Sequence, residues 1–105
     1  MMVTKEAFQV VVFVASWCPH CHGMRQEVWT KKDVLKASEA YHGGKAAIIQ
    51  VDKPGNEYLS EQFKIEAFPT VVIMDEKREI FKRSHNMDAE ETINFLEEFD
   101  GNKQV

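Results

Sequence analysis

Val10-Val11-Val12-Phe13-Val14-Ala15-Ser16-Trp17-Cys18-Pro19-His20-Cys21 is the stretch on which the rest of this chain turns. Its first half is β-branched and aromatic and carries no charge, the pattern of a strand buried on both faces. Its second half holds the chain's 2 cysteines, two residues apart. Beyond them the pattern becomes polar with Met24 and Val28 spaced like one helix face. A Cys-x-x-Cys pair where a buried strand gives way to a helix points to redox chemistry. Only a thiolate attacks a disulfide, and a free cysteine with a pKa of about 8.5 is mostly protonated at neutral pH. Cys18 at a helix start faces unpaired N–H groups and the positive end of the helix dipole. Pro19 suits the first helical position, and Cys21 lies on the same face within disulfide reach. His20, between the sulfurs in sequence, can add charge or a hydrogen bond to a thiolate. The expected division of labour makes Cys18 the exposed nucleophile and Cys21 the resolving thiol.

The 105 residues fit one domain, with 44% hydrophobic residues to supply a core. A net charge of −4, with 13 Lys and Arg interspersed among 17 Asp and Glu, gives no nucleic-acid footprint. No apolar run approaches membrane-spanning length. The lead-in Met1-Met2-Val3-Thr4-Lys5-Glu6 lacks the character of a signal peptide. The expectation is a cytoplasmic protein, or alternatively a periplasmic or secreted one in trimmed mature form. Two cysteines in a cytosolic chain suggest a catalytic pair over a structural staple.

Along the chain, residues 1–7 read as a frayed lead-in and 8–15 as the buried strand. A helix is expected from Pro19 to about Trp29. Thr30, with Asp33 three residues on, looks like the cap of a fresh helix carrying Val34, Leu35 and Ala37; one kinked helix fits these residues as well as two. Residues 46–52 read as a second buried strand. Asn56 can cap a helix through about Phe63 with Leu59 and Phe63 on one face. Residues 68–74 form a third strand, and 79–83 alternate as an edge strand. Asp88 caps a last helix with a stripe of Ile93, Leu96 and Phe99, and Gly101 and a polar tail end the chain. The order is β-α-β-α-β-β-α, an α/β class. Its first two connections are expected to be helical crossovers between parallel strands, its last a hairpin.

With these landmarks placed, the chain resembles the thioredoxin-fold thiol–disulfide oxidoreductases over roughly residues 8 to 99. Trp17-Cys18-Pro19-His20-Cys21 looks like that family's active-site motif, Asp52 closes the strand before the middle helix, and Phe68-Pro69-Thr70 looks like its cis-proline loop. The resemblance implies a minimal thioredoxin-like fold with a four-stranded mixed sheet, lacking the leading strand and helix of typical thioredoxins and closer in size to a glutaredoxin. It implies that Pro69 packs beside the nucleophile, that Phe68 and Thr70 offer backbone to substrate, and that Trp17 shields the disulfide and contacts substrate. It implies exchange with protein or small thiol substrates, with thioredoxin reductase or glutathione as electron source, in a monomer without cofactor or metal.

Departures from the family pattern are specific. The paired glycines of glutathione-binding glutaredoxins are replaced by Arg83-Ser84-His85. The buried acid of thioredoxins, six residues before the first cysteine, is Val12 here, and its partner lysine is Ile48. The Pro-His dipeptide resembles that of the periplasmic disulfide-forming oxidase, whereas His22, Met24 and Glu27-Val28-Trp29 resemble a branch that includes reducing periplasmic domains.

Three other readings compete. Cys18-Pro19-His20-Cys21-His22 satisfies the c-type haem attachment pattern, but the alternating strand–helix order opposes a haem-enclosing fold. Zinc on the cysteines and a histidine lacks a second half-site. A binding module with dispensable cysteines would use the same apolar surface around Trp17 and Phe68. His22 either modulates the site or lies exposed, and His42 and His85 read as surface residues. Trp29, Met24, Phe63 and Ile73 read as core.

Overall fold

The computed structural model describes residues 4–104; the first three residues of the expected lead-in and Val105 at the end of the tail lie outside it. After a 3-10 turn at Lys5–Ala7 the elements are β1 (Phe8–Val14), α1 (Pro19–Glu27), α2 (Lys32–Ser38), β2 (Ala47–Gln50), α3 (Tyr58–Gln62), β3 (Thr70–Asp75), β4 (Ile80–Ser84) and α4 (Ala89–Glu97). The four strands form one mixed sheet in the order β2-β1-β3-β4.

β1 is central, and its period of two sorts its side chains onto two cores. Val10, Val12 and Val14 join Met24, Val28, Val34, Phe95 and Leu96 on one face; Val11 and Phe13 join Leu59, Phe63, Val72 and Met74 on the other. Burial on both faces is why β1 reads as an unbroken apolar run, each fully buried valine contributing on the order of 1.5–3 kcal/mol.

β2 pairs with β1 in parallel, but β3 runs antiparallel to β1. The expectation that the second connection also joins parallel strands is therefore wrong. A crossover to a parallel strand must carry the chain back along the sheet, and α3, with 5 residues, is too short to do so. β2 ends at Gln50 opposite Val14, and β3 begins at Thr70 opposite Phe13, the same end of the sheet. β2 is also an edge strand with Ile48 and Ile49 only half-buried, where two-sided burial was expected.

Residues 19–38 form two helices. Thr30 does not cap the second: its hydroxyl donates back to the Gln26 carbonyl at 2.6 Å, and α2 follows Lys31 with no side-chain cap. The open carbonyls at the end of α1 lie one turn behind that hydroxyl and capture it. Asn56 likewise does not cap α3 with its side chain. Its amide donates to the Gln50 carbonyl at 3.0 Å, closing the loop that leaves β2, and Glu57 flanks the helix instead. Asp88 does cap α4, in a reciprocal capping box with Glu91. The inward stripe of α4 is Thr92, Phe95 and Leu96, continued by Phe99 past the helix end, while Ile93 is half-buried.

Candidate functional site

The ends of β1 and β2 and the start of β3 converge at one end of the sheet, and the cysteine pair sits there. Cys18 flanks α1 in extended conformation and Pro19 takes the first helical position. Cys18 and Cys21 are joined as a disulfide with their Cα atoms 5.3 Å apart. The Cys21 N–H donates to Cys18 Sγ at 3.2 Å, so one of the helix's unpaired donors is aimed at that sulfur. Such a donor favours the thiolate at Cys18 over Cys21, which lies one turn further along the helix.

Cys18 is not exposed: Cys18 and Cys21 retain 3% and 4% of their surface, and both belong to the core cluster of α1, α2 and α4. The two are buried alike in that cluster, so exposure does not separate nucleophile from resolving thiol; the hydrogen bond does.

Trp17 stands out from this surface with 68% exposure. Its ring meets Phe68 edge to face, centroids 5.6 Å apart at 89°. That contact brings the 67–70 turn against the cysteine loop. The Phe68–Pro69 peptide bond is cis. Phe68 is half-buried, Pro69 buried and Thr70 without exposed surface. The Thr70 hydroxyl donates to the Ala67 carbonyl at 2.6 Å and so closes the turn from inside. Thr70 is a buried brace of the turn, not an open contact surface, and of the three only Phe68 faces outward.

The histidines divide. His20 is exposed, with Nδ1 3.5 Å from the Asn86 amide nitrogen, and it lines a groove of about 550 Å³ between α1 and the loop before α4. His22 turns the other way and its Nε2 bonds the Ser16 carbonyl at 2.8 Å. His85 is exposed, with Nδ1 3.4 Å from the Thr70 hydroxyl, and His42 is exposed away from the site. Among the described residues no three His, Cys, Asp or Glu side chains gather to hold a metal ion, and no helix is long and apolar enough to cross a membrane.

Sequence reasoning missed Ser16. Its N–H donates to both Asp52 carboxylate oxygens at 3.1 and 3.3 Å, and its hydroxyl donates to the same carboxylate. The hydroxyl first and the N–H second hold the Asp52 carboxyl below its ordinary range. The partners are 36 residues apart, so no local pattern announces them. The one available signal was that Asp52 follows the strand beside the one that leads into Ser16.

Val12 and Ile48, where the family resemblance places an acid and a lysine, are register partners on β1 and β2. Val12 is 1% exposed, and Ile48 packs against the same cluster.

Comparison with known proteins agrees with this geometry. The chain is 31% identical over 93 residues to protein disulfide-isomerase A4 of Bos taurus, covering 85% of this chain and 14% of that protein. It is 26% identical to thioredoxin 2 of Plasmodium falciparum (isolate 3D7), covering 85% of this chain and 52% of that one. The chain thus spans about half or less of the length of these relatives. Among solved structures, a thioredoxin from Thermus thermophilus superposes with a TM-score of 0.73 at 24% identity, covering 87% of this chain and 72% of that one. The thioredoxin family profile matches residues 1–98, and with the four-stranded sheet and the paired cysteines at the start of α1 it shows that this chain belongs to the thioredoxin family.

Proposed function

We propose that this chain exchanges disulfides with protein substrates through Cys18 and Cys21. The observation that carries the reading is the Cys21 N–H directed at Cys18 Sγ, at the start of α1 and beside the exposed Trp17. In the reducing direction the Cys18 thiolate attacks a substrate disulfide. The substrate S–S bond breaks, one substrate sulfur leaves as a thiolate that takes up a proton, and a mixed disulfide forms on Cys18. Cys21 then loses its proton and attacks Cys18 Sγ, releasing the second substrate thiolate and forming the Cys18–Cys21 disulfide. Two electrons have passed to the substrate, and the reverse sequence oxidises a dithiol.

Trp17 and Phe68 supply an amphipathic docking surface, and the backbone of Phe68 is the natural contact for an extended substrate segment. Pro69 and Thr70 hold that turn in place. Pro19 starts the helix and His20 supports the thiolate. In the reducing direction the pair is reloaded by thioredoxin reductase or by two molecules of glutathione, which leave as their disulfide, and the chain acts as a monomer in the cytoplasm.

The experiment is reduction of insulin disulfides by dithiothreitol, with and without the chain, against the Cys18→Ser/Cys21→Ser variant. Catalysis by the natural chain and none by the variant is expected. An inactive natural chain whose partner binding survives in the double variant would replace the reading with that of a binding module.

A further inference from the structure

Ser16 is tied on every polar group it has. Its N–H and hydroxyl go to the Asp52 carboxylate, and its carbonyl accepts from the His22 ring. A carbonyl only accepts, so His22 Nε2 carries the proton in this contact. Two residues from different parts of the fold, one in the turn just past β2 and one in the first turn of α1, thus grip the peptide units on either side of Ser16.

The grip acts on Trp17 more than on Cys18. Cys18 has anchors of its own: its N–H donates to the Ala15 carbonyl at 3.2 Å, its sulfur accepts the Cys21 N–H, and it is buried in the core. Trp17 is largely exposed, and its ring meets Phe68 edge to face. Its backbone direction is set by the Ser16 carbonyl that His22 holds.

We infer that Asp52, Ser16 and His22 form a clamp of positioning residues that presets Trp17 against Phe68 for docking of polypeptide disulfides, leaving the sulfur chemistry itself to the helix start. The inference rests on the exchange reading above. A preset aromatic anchor lowers the ordering cost of binding an extended polypeptide, which spans both rings. A small disulfide that reaches the sulfurs alone gains little from it.

The test compares kcat and KM for insulin and for hydroxyethyl disulfide, both driven by dithiothreitol, in the full chain. Asp52→Ala and His22→Phe should raise KM for insulin by about five- to tenfold, the size of a weakened aromatic anchor. Their kcat for insulin and their kcat/KM for hydroxyethyl disulfide should stay within about twofold of the natural chain. His22→Gln, which keeps an N–H at a similar reach, and Ser16→Thr, which keeps the hydroxyl, should restore most of the insulin KM. Ser16→Ala gives a milder form of the same defect if Asp52→Ala folds poorly. Parallel loss on both substrates, no change on either, or failure of the conservative variants to rescue would overturn the clamp. A natural chain that reduces neither substrate would instead remove the exchange reading, and the clamp's role with it.

Discussion

Val12 on β1 stands opposite Ile48 on the parallel edge strand β2, and both side chains pack on the face that holds the disulfide. The resemblance to thioredoxins places an acid and a lysine at these two positions. Here they are an apolar cross-strand pair, and Val12 is closed off from solvent. Protonation of Cys21 during reduction of the pair therefore has no carboxyl at Val12 to draw on.

Restoring only the acid should be costly. Val12→Asp buries a carboxyl with no partner on β2, which should destabilise the fold by about 3 kcal/mol or more and leave the group protonated at neutral pH. Val12→Asp with Ile48→Lys should recover part of that loss. Urea denaturation at pH 7 measures both; a single variant within 1 kcal/mol of the natural chain, on the order of a neutral surface change, would mean that this face is far wetter than its packing.

Labelling separates the two cysteines on chemistry alone, since their burial is nearly equal. In the reduced chain, Cys18 should react first with iodoacetamide at pH 6, because the Cys21 N–H and the helix start favour its thiolate. Mass mapping after partial alkylation reads the ratio. Preferential labelling of Cys21 would exchange the roles of nucleophile and resolving thiol.

What was legible in the sequence tracks how local each determinant is. β1 was plain because two-sided burial leaves a continuous apolar run, and Asp88 was plain because a capping box closes within four residues. The direction of β3 was not legible, since it follows from how short α3 is and where β2 stops. Thr30 and Asn56 have the composition of caps, but each donates back to an earlier carbonyl, Gln26 and Gln50. The Cys-x-x-Cys pair was found from its spacing, and Trp17 from the family resemblance that the motif carries. Ser16 was not, because its meaning depends on a carboxylate that only the sheet brings near.

Tyr41 ties the end of α2 to the end of α4. Its hydroxyl donates to the Leu96 carbonyl at 2.6 Å, and burial pushes its ionisation well above the ordinary tyrosine value. A folded-state pKa above the unfolded one means that the contribution is fully present below about pH 10 and is lost as pH rises beyond it. Tyr41→Phe should cost about 1 kcal/mol at pH 7, and the difference between variant and natural chain should shrink above pH 10. Urea midpoints between pH 7 and 11 show this; a difference that stays constant across that range would mean that the hydroxyl is not the group responsible.

Redox poise follows from what stabilises the Cys18 thiolate. Any group that does so stabilises the reduced form and makes the disulfide the stronger oxidant. The N–H from Cys21 is one such group and the helix dipole a second, and in the function proposed above His20, on the first turn of α1, is a third. Thioredoxin lies near about −270 mV and the strongly oxidising periplasmic enzyme near about −120 mV, so a potential of about −240 to −170 mV is expected here. His20→Ala, which keeps helix propensity, should shift it to more reducing values by about 20 mV, corresponding to a contact of roughly 1 kcal/mol. The Cys18 pKa should rise in the same variant. Equilibration with glutathione buffers, read by thiol trapping, gives both potentials. A value at or below about −270 mV that His20→Ala leaves unmoved would show that neither the helix start nor the histidine sets the potential of this pair.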